Sequence, residues 1–207
     1  KIDTDRVVGN FSSGKMGCCI ADALQKQGAN VELIIGPSSE KINQNILVDR
    51  VVSSQEMYNL SLKKFKNQDI IIFSAAVSDF TPKNTISKKI KNKKSIDISF
   101  QKTKDILKQL GSMKKKQILL GFALETDNEF INAQKKLQEK NLDAIILNSL
   151  NDKGAGFGFD TNKITIIDKK LNKKEYPLMT KKDAAKLIVE KATDMFFERF
   201  NIKKKII

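Results

Sequence analysis

Three short apolar runs constrain the fold more than any other feature of the sequence: DIIIFSAA at residues 69–76, QILLGFA at 117–123 and DAIILN at 143–148. Runs without polar alternation suit strands covered on both faces, the environment of a parallel sheet. Residues 69–76 read as a central strand of this kind. The segments around the runs have helical period. Residues 14–27 place Met16, Ile20 and Leu24 on one face and stop at Gly28. Residues 54–65 open on a serine with Glu56 in the first turn, and residues 128–140 form a helix between the second and third runs. Residues 181–200 put Ala184, Leu187, Ile188, Lys191 and Met195 at helical spacing. Residues 29–35, 46–52 and 164–167 add strands. Strand and helix alternate, so the expected fold is α/β: a Rossmann-like, open, mostly parallel sheet with helices on both faces. A length of 207 residues suits one domain over 1–207.

Two stretches interrupt the alternation. Residues 81–94 (TPKNTISKKIKNKK) are polar and cationic and read as a mobile loop, and residues 152–161 (DKGAGFGFDT) read as an irregular glycine-rich loop.

Composition removes several functions. The chain contains no histidine, so a Ser–His or Cys–His pair, a histidine base and a histidine metal ligand are all excluded. Cys18 and Cys19 are adjacent, a poor arrangement for a disulfide or a zinc pair, and read as small buried residues. No apolar run reaches the ~18 residues that cross a bilayer. The N-terminal residues lack a secretory pattern, so a cytoplasmic enzyme without membrane attachment is expected. The net charge of +14 raises nucleic acid as a partner. Only three of the 38 basic residues are arginine, however, and no basic segment is interleaved with aromatics that would stack bases. The lysines read as a solvated surface, and no nucleic-acid partner is expected.

The segment GNFSSGKMG at residues 9–17 comes within one residue of a phosphate-binding loop. Met16 stands where the magnesium-binding hydroxyl belongs, which excludes a Walker-type ATPase. Small residues ahead of a helix still leave backbone N–H groups facing outward, with the helix dipole behind them, so an anion can sit there. Ser12 or Ser13 serving only as an N-cap is an equally good reading of the segment alone. At residues 74–80 (SAAVSDF) a strand ends in small residues and then Asp79, where open α/β sheets bind ligands. Asp79 as a plain turn residue, and Lys89, Lys136 and Lys140 as solvated lysines, are the ordinary alternatives. Gly9, Gly14 and Gly17 have the wrong spacing for the fingerprint of an NAD(P)-type Rossmann oxidoreductase.

Taken in order, Arg6 and Asn10 with SSGKMG, GANVELIIGP, AAVSDF, the Lys89 loop, KTKDIL, GFALET, KKLQEKNLDAIILN and GFGFDTNKITIID resemble the phosphopantothenoylcysteine synthetase family over nearly the whole chain. The resemblance implies a CTP-dependent ligase of coenzyme A synthesis. The carboxylate of 4′-phosphopantothenate would attack the α-phosphate of CTP to give an acyl-cytidylate and pyrophosphate, and the amine of L-cysteine would then displace CMP. It implies Asn10 as the catalytic residue, assisted by Arg6 and Lys89. It assigns the nucleotide to Ala75, Asp79, Lys89, Phe122, Lys136, Lys140 and the segment Lys104, Asp105, Ile106 and Leu107. Ser12, Ser13 and Gly14 would take the substrate phosphate. Mg2+ would accompany the triphosphate through ligands that the sequence does not identify, and a homodimer is expected. FMN is implied only where a decarboxylase half is joined to the chain. Family members also open with a strand and a glycine turn ahead of the Arg6 region, and this sequence starts beyond that point. Loss of that strand implies damage to the central sheet.

Overall fold

The computed structural model describes residues 2–91, 95–149, 151, 154–156 and 158–202. Residues 92–94 of the cationic loop and residues 152, 153 and 157 of the glycine-rich loop lie outside the described residues. In chain order the first half contains α1 (Lys15–Lys26), β1 (Glu32–Ile35), β2 (Leu47–Arg50), α2 (Ser54–Phe65), β3 (Ile70–Phe73), β4 (Phe80–Pro82) and β5 (Phe100–Lys102). The second half contains α3 (Ile106–Met113), β6 (Ile118–Glu125), α4 (Glu129–Glu139), β7 (Ala144–Ser149), β8 (Thr161–Asn162), β9 (Ile164–Asp168), β10 (Lys173–Glu175), β11 (Met179–Thr180) and α5 (Lys181–Phe200). Helix starts follow capping chemistry. Ser53 accepts a hydrogen bond from the Glu56 amide, and the Glu56 carboxylate accepts one from Val52 N. Thr180 likewise accepts from the Asp183 amide at the head of α5.

The principal sheet has the order β10-β9-β7-β6-β3. β3, β6 and β7 are parallel, and β9 and β10 extend the sheet antiparallel. Its side chains alternate between two apolar layers. Leu119, Ile145 and Ile167 pack with α2, α3 and α4 through Phe65, Leu110, Ala133 and Leu137. Ile118, Leu120, Ile146 and Ile166 pack on the other face with α1 and α5 through Ile20, Ala184, Ile188 and Ala192. Helices therefore cover both faces, as the continuous apolar runs require.

At the other side the sheet is divided. β1 and β2 form their own parallel ladder with no hydrogen bond to β3. A channel of about 1400 Å³ lies between them, lined by β1, β3, Ile20 and Leu24 of α1, Met57 of α2 and Phe196 of α5. β3 was expected as a central strand buried on both faces. It is instead the edge of the five-stranded sheet, and all four of its residues are only half-buried. Its apolar composition suits a partner on both edges, and the channel leaves one edge open. The β1–β2 ladder is held to α2 by a polar contact: Lys64 is ion-paired with both Glu32 and Asp49.

The cationic loop also departs from expectation. Its start pairs with residues 100–102 as the β4–β5 hairpin, and residues 86–90 are bonded to the N-terminal segment rather than moving freely.

Candidate functional site

α1 begins where the carboxyl ends of β1 and β3 approach each other. Its N-cap is Gly14, at φ 81°, with no side-chain cap hydrogen bond. A Cβ there would meet Ile35 Cδ1 at 3.2 Å and Ser38 Oγ at 3.3 Å, and the left-handed backbone would strain any other residue. Ser12 and Ser13 are therefore not the N-cap. Ser13 Oγ accepts from Lys15 N at 3.2 Å, and its carbonyl accepts from Ser38 Oγ at 2.6 Å. Gly14 thus offers no side-chain cap and Ser13 takes only the first helical amide, which leaves the rest of the helix start, with the dipole behind it, suited to an anion. Lys15 does not face that opening alone. Its Nζ lies 2.5 Å from Asp160, which raises the lysine pKa and lowers that of the aspartate.

Asn10 spans two segments. Its Oδ1 accepts from Ser12 N at 3.0 Å, and its Nδ2 donates to the Ala76 carbonyl. The structure thus brings Asn10 to the AAV turn after β3 that contains Ala75. Asp79 is exposed just beyond, and its carbonyl accepts from Thr103 N at 2.8 Å. That bond and the β4–β5 pairing place Asp79 beside the Lys104–Leu107 segment. Lys104 Nζ sits 4.9 Å from the centre of the Tyr58 ring. Asp105 is the N-cap of α3 and accepts from Lys108 N. Burial works to raise its pKa, but this bond and Lys140 outweigh it and leave the carboxyl low. Ile106 and Leu107 are buried in the core, so they can offer a ligand only the backbone at the helix start.

Lys140 reaches Asp105 at 3.0 Å because α3 and α4 approach closely. A Cβ on Gly111 would lie 1.9 Å from the Lys140 carbonyl oxygen, so only glycine permits this contact. Lys136 pairs with Glu125, at the end of β6, at 2.5 Å. Phe122 faces the opposite layer, packed against the buried cluster that α1 and α5 share with the sheet, and so lies on the α1 face of the sheet rather than on that of Leu137 and α4.

Arg6 and Lys89 meet through the N-terminal segment. Arg6 is 2.6 Å from Asp3 and Lys89 is 2.5 Å from Asp5. Asp3 Oδ1 accepts from the Asp5 and Arg6 amides, and Oδ2 accepts from Arg6 Nη1 and from Ile90 N at 3.1 Å. The amide of Asp5, then that of Ile90, holds this carboxyl at a pKa of about 2 despite its burial. Burial pushes the Cys18 thiol to about 11 and raises Cys19 too, so neither is poised as a nucleophile at neutral pH. Among the described residues there is no cluster of three or more potential metal ligands.

Asp3, Asp5, Glu125 and Asp160 were not singled out from the sequence. Asp3, Asp5 and Glu125 are the carboxylate partners of cations that were, and Asp160 pairs with Lys15 of the GNFSSGKMG segment. The spacing of Asp3 and Arg6 in IDTDR is the usual sign of an Asp bonding the backbone amides that follow it. Nothing local identifies Glu125 or Asp160, whose partners lie 11 and 145 residues away.

A family model described as the DNA/pantothenate metabolism flavoprotein C-terminal domain matches residues 1–195. Among curated proteins, the chain is 50% identical over 193 residues to a cysteine/cysteine sulfinic acid decarboxylase of an unknown prokaryotic organism, covering 92% of this chain and 54% of that protein. It is 43% identical over 186 residues to the coenzyme A biosynthesis bifunctional protein CoaBC of Bacillus subtilis, covering 89% of this chain and 46% of that protein. The chain thus spans about half the length of these relatives. Among solved structures, the C-terminal domain of a CoaBC bifunctional protein superposes with a TM-score of 0.80 at 38% identity, covering 96% of this chain and 92% of that one. No helix among the described residues is long and apolar enough to cross a membrane.

Proposed function

The chain belongs to the DNA/pantothenate metabolism flavoprotein C-terminal domain family, and from that premise we propose that it joins 4′-phosphopantothenate to L-cysteine at the expense of CTP. The observation that carries this reading is the juncture of Asn10, the glycine-led start of α1 and the Ala75–Asp79 turn at the carboxyl ends of β1 and β3. An anionic substrate phosphate fits the helix start at Ser12, Ser13 and Gly14. The substrate carboxylate attacks the α-phosphorus of CTP; a C–O–P linkage forms, the bond to the bridging oxygen breaks, and pyrophosphate leaves. The cysteine amine then attacks the acyl carbon, CMP departs and the amine loses a proton. Both steps need positioned charge rather than a covalent nucleophile, in keeping with a chain that lacks histidine and whose thiols have raised pKa values. Asn10 supplies an amide that donates and accepts at once, suited to holding the acyl-cytidylate. Arg6 supplies positive charge on the phosphopantothenate side and Lys89 on the triphosphate side. Asp79, Lys104, Lys136, Lys140 and the α3 start provide the nucleotide side.

Magnesium would arrive on the triphosphate and neutralise part of its charge, which suits a site with no cluster of three or more metal-ligating side chains among the described residues. The exposed rings of Phe80 and Phe100 on the β4–β5 hairpin, and of Phe11, which is 90% exposed, support a homodimer. The reading extends to a bacterial cytoplasmic enzyme, with FMN relevant only to a joined decarboxylase half. It also includes the channel, whose two parallel walls and apolar lining suit one further extended strand within a single domain.

Pyrophosphate release decides the matter. It is expected to require CTP and 4′-phosphopantothenate but not cysteine. CTP turned over no faster with 4′-phosphopantothenate than without it would overturn the reading. Asn10→Asp is expected to release pyrophosphate yet fail to form the amide; equal loss of both steps would remove the role given to Asn10.

A further inference from the structure

The only buried residue between 83 and 91 is Ile90, in a segment otherwise exposed and cationic. What fixes that segment is a carboxylate 87 residues earlier. Asp3, 1% exposed, accepts four hydrogen bonds: two from amides of its own turn, one from the Arg6 guanidinium and one from the Ile90 amide. Arg6 Nη1 also donates to the Ile90 carbonyl at 3.3 Å, and Ile86 N donates to the Ile2 carbonyl at 2.9 Å. Lys89 closes the set through Asp5. Removing Asp3 would leave Arg6 without its nearest counterion and the buried Ile90 amide without its acceptor.

We propose that Asp3 is a positioning residue of the ligase site. It touches no substrate; it fixes Arg6 and the segment carrying Lys89 as one unit. The inference rests on the proposed ligase reading for its effect on activity, but not for the coupling of the two segments. The near-isosteric Asp3→Asn is a sharp probe, because its amide nitrogen would turn one pair of acceptor contacts into donor facing donor.

The experiment has two arms. The first needs no substrate. Trypsin cleavage after Lys88 and Lys89 is expected to be about tenfold faster in Asp3→Asn than in the parent chain, since the loss of charge-assisted bonds opens the segment. In the parent chain, hydrogen exchange of the Ile90 amide is expected to be slower than that of residues 87–89. Equal cleavage rates in a folded variant, or an Ile90 amide that exchanges as fast as its neighbours, would overturn the proposal. The exchange measurement decides the matter even if Asp3→Asn fails to fold.

The second arm follows pyrophosphate release. Arg6→Ala is expected to raise mainly the KM for 4′-phosphopantothenate and Lys89→Ala mainly that for CTP, whereas Asp3→Asn raises both. A merely structural loss would lower kcat in proportion to the folded fraction and leave both KM values unchanged, and that result would also overturn the proposal. If the parent chain does not use CTP at all, the ligase reading fails while the first arm still decides whether Asp3 holds the two segments together.

Discussion

The two sides of the molecule solve the same packing problem to different extents. On the side of β6, β7 and β9, strands have neighbours on both edges and helices on both faces; Ile118, Leu120, Ile145 and Ile146 are fully buried. On the side of β1, β2 and β3, the strands are equally apolar in β3 but flank an open channel, and Ile70–Phe73 stay half-exposed. The difference teaches that an apolar strand is only as buried as its edges are paired. It also separates stability from the proposed function: the sealed side carries the fold, and the start of α1 proposed to receive the anion lies at the mouth of the open one.

The largest test of this contrast is at the amino end of β7. Asp143 is buried, 2.6 Å from Arg199 at the end of α5 and 3.1 Å from Lys114 after α3, and accepts from Leu119 N at 2.8 Å. One carboxylate therefore ties α3, α5, β6 and β7. Asp143→Ala leaves three cations, Arg199, Lys114 and the more distant Lys169, without this partner and is expected to cost about 3–5 kcal/mol in a denaturant titration. A loss below about 1 kcal/mol would show that the sealed side does not depend on this pair. Burial tends to raise the Asp143 pKa, but the Arg199 bond, the Leu119 amide and Lys114 prevail and lower it. The folded state thus binds a proton less readily than the unfolded chain. Its stabilising contribution is complete above the ordinary carboxylate pKa and disappears as pH falls through the lowered folded value. The parent chain is expected to lose stability below about pH 4, and Asp143→Asn to lose less over the same interval.

The next test compares equivalent isoleucines. Ile146→Ala in the sealed sheet is expected to cost about 3 kcal/mol, and Ile72→Ala beside the channel about 1 kcal/mol or less, because its side chain is already partly in water. Equal losses would mean that the channel is closed in solution. A peptide strand that fills it should raise the melting temperature of the chain and narrow the gap between the two variants, since Ile72 would then be buried as Ile146 is.

The same contrast explains what could be read without a structure. The apolar runs at 69–76, 117–123 and 143–148 located three parallel strands, and helical period located α1, α2, α4 and α5 within a residue or two, since these patterns are local. Period alone could not show that β3 is an edge, because edge status depends on which strands pair. The β4–β5 hairpin was hidden by lysine and asparagine, residues that usually mark a loop; its pairing closes across residues 83–99. In the proposed site, Arg6, Asn10, Asp79, Lys104, Lys136 and Lys140 were named from motifs, and their roles rest on the proposed function. Of their carboxylate partners, Asp105 lay in a motif and Asp3 stands three residues from Arg6, but Glu125 was hidden, since its pair with Lys136 spans 11 residues and leaves no spacing to detect. Ile106 and Leu107 illustrate the reverse error of scale: a motif marks a segment, whereas burial shows that only their backbone can serve a ligand.

The smallest expected effect concerns those partners. Lys136, Lys140, Lys89, Arg6 and Lys15 each lie within 3.0 Å of a carboxylate. In the proposed reading, a triphosphate would compete with these carboxylates for Lys89, Lys136 and Lys140. Glu125 is the one to neutralise, since its oxygen 2.5 Å from Lys136 is its principal charged contact. Exposed and half-exposed pairs are worth about 0.2–1 kcal/mol, which corresponds to a change of about 1.4- to 5-fold in an equilibrium constant. Glu125→Gln is therefore expected to alter the unfolding midpoint little and to lower the CTP concentration for half-maximal pyrophosphate release by up to about fivefold. A higher half-saturating concentration would give Glu125 the opposite role, holding Lys136 in place as Asp3 holds Arg6. The sign of this small change thus distinguishes a competing carboxylate from a positioning one.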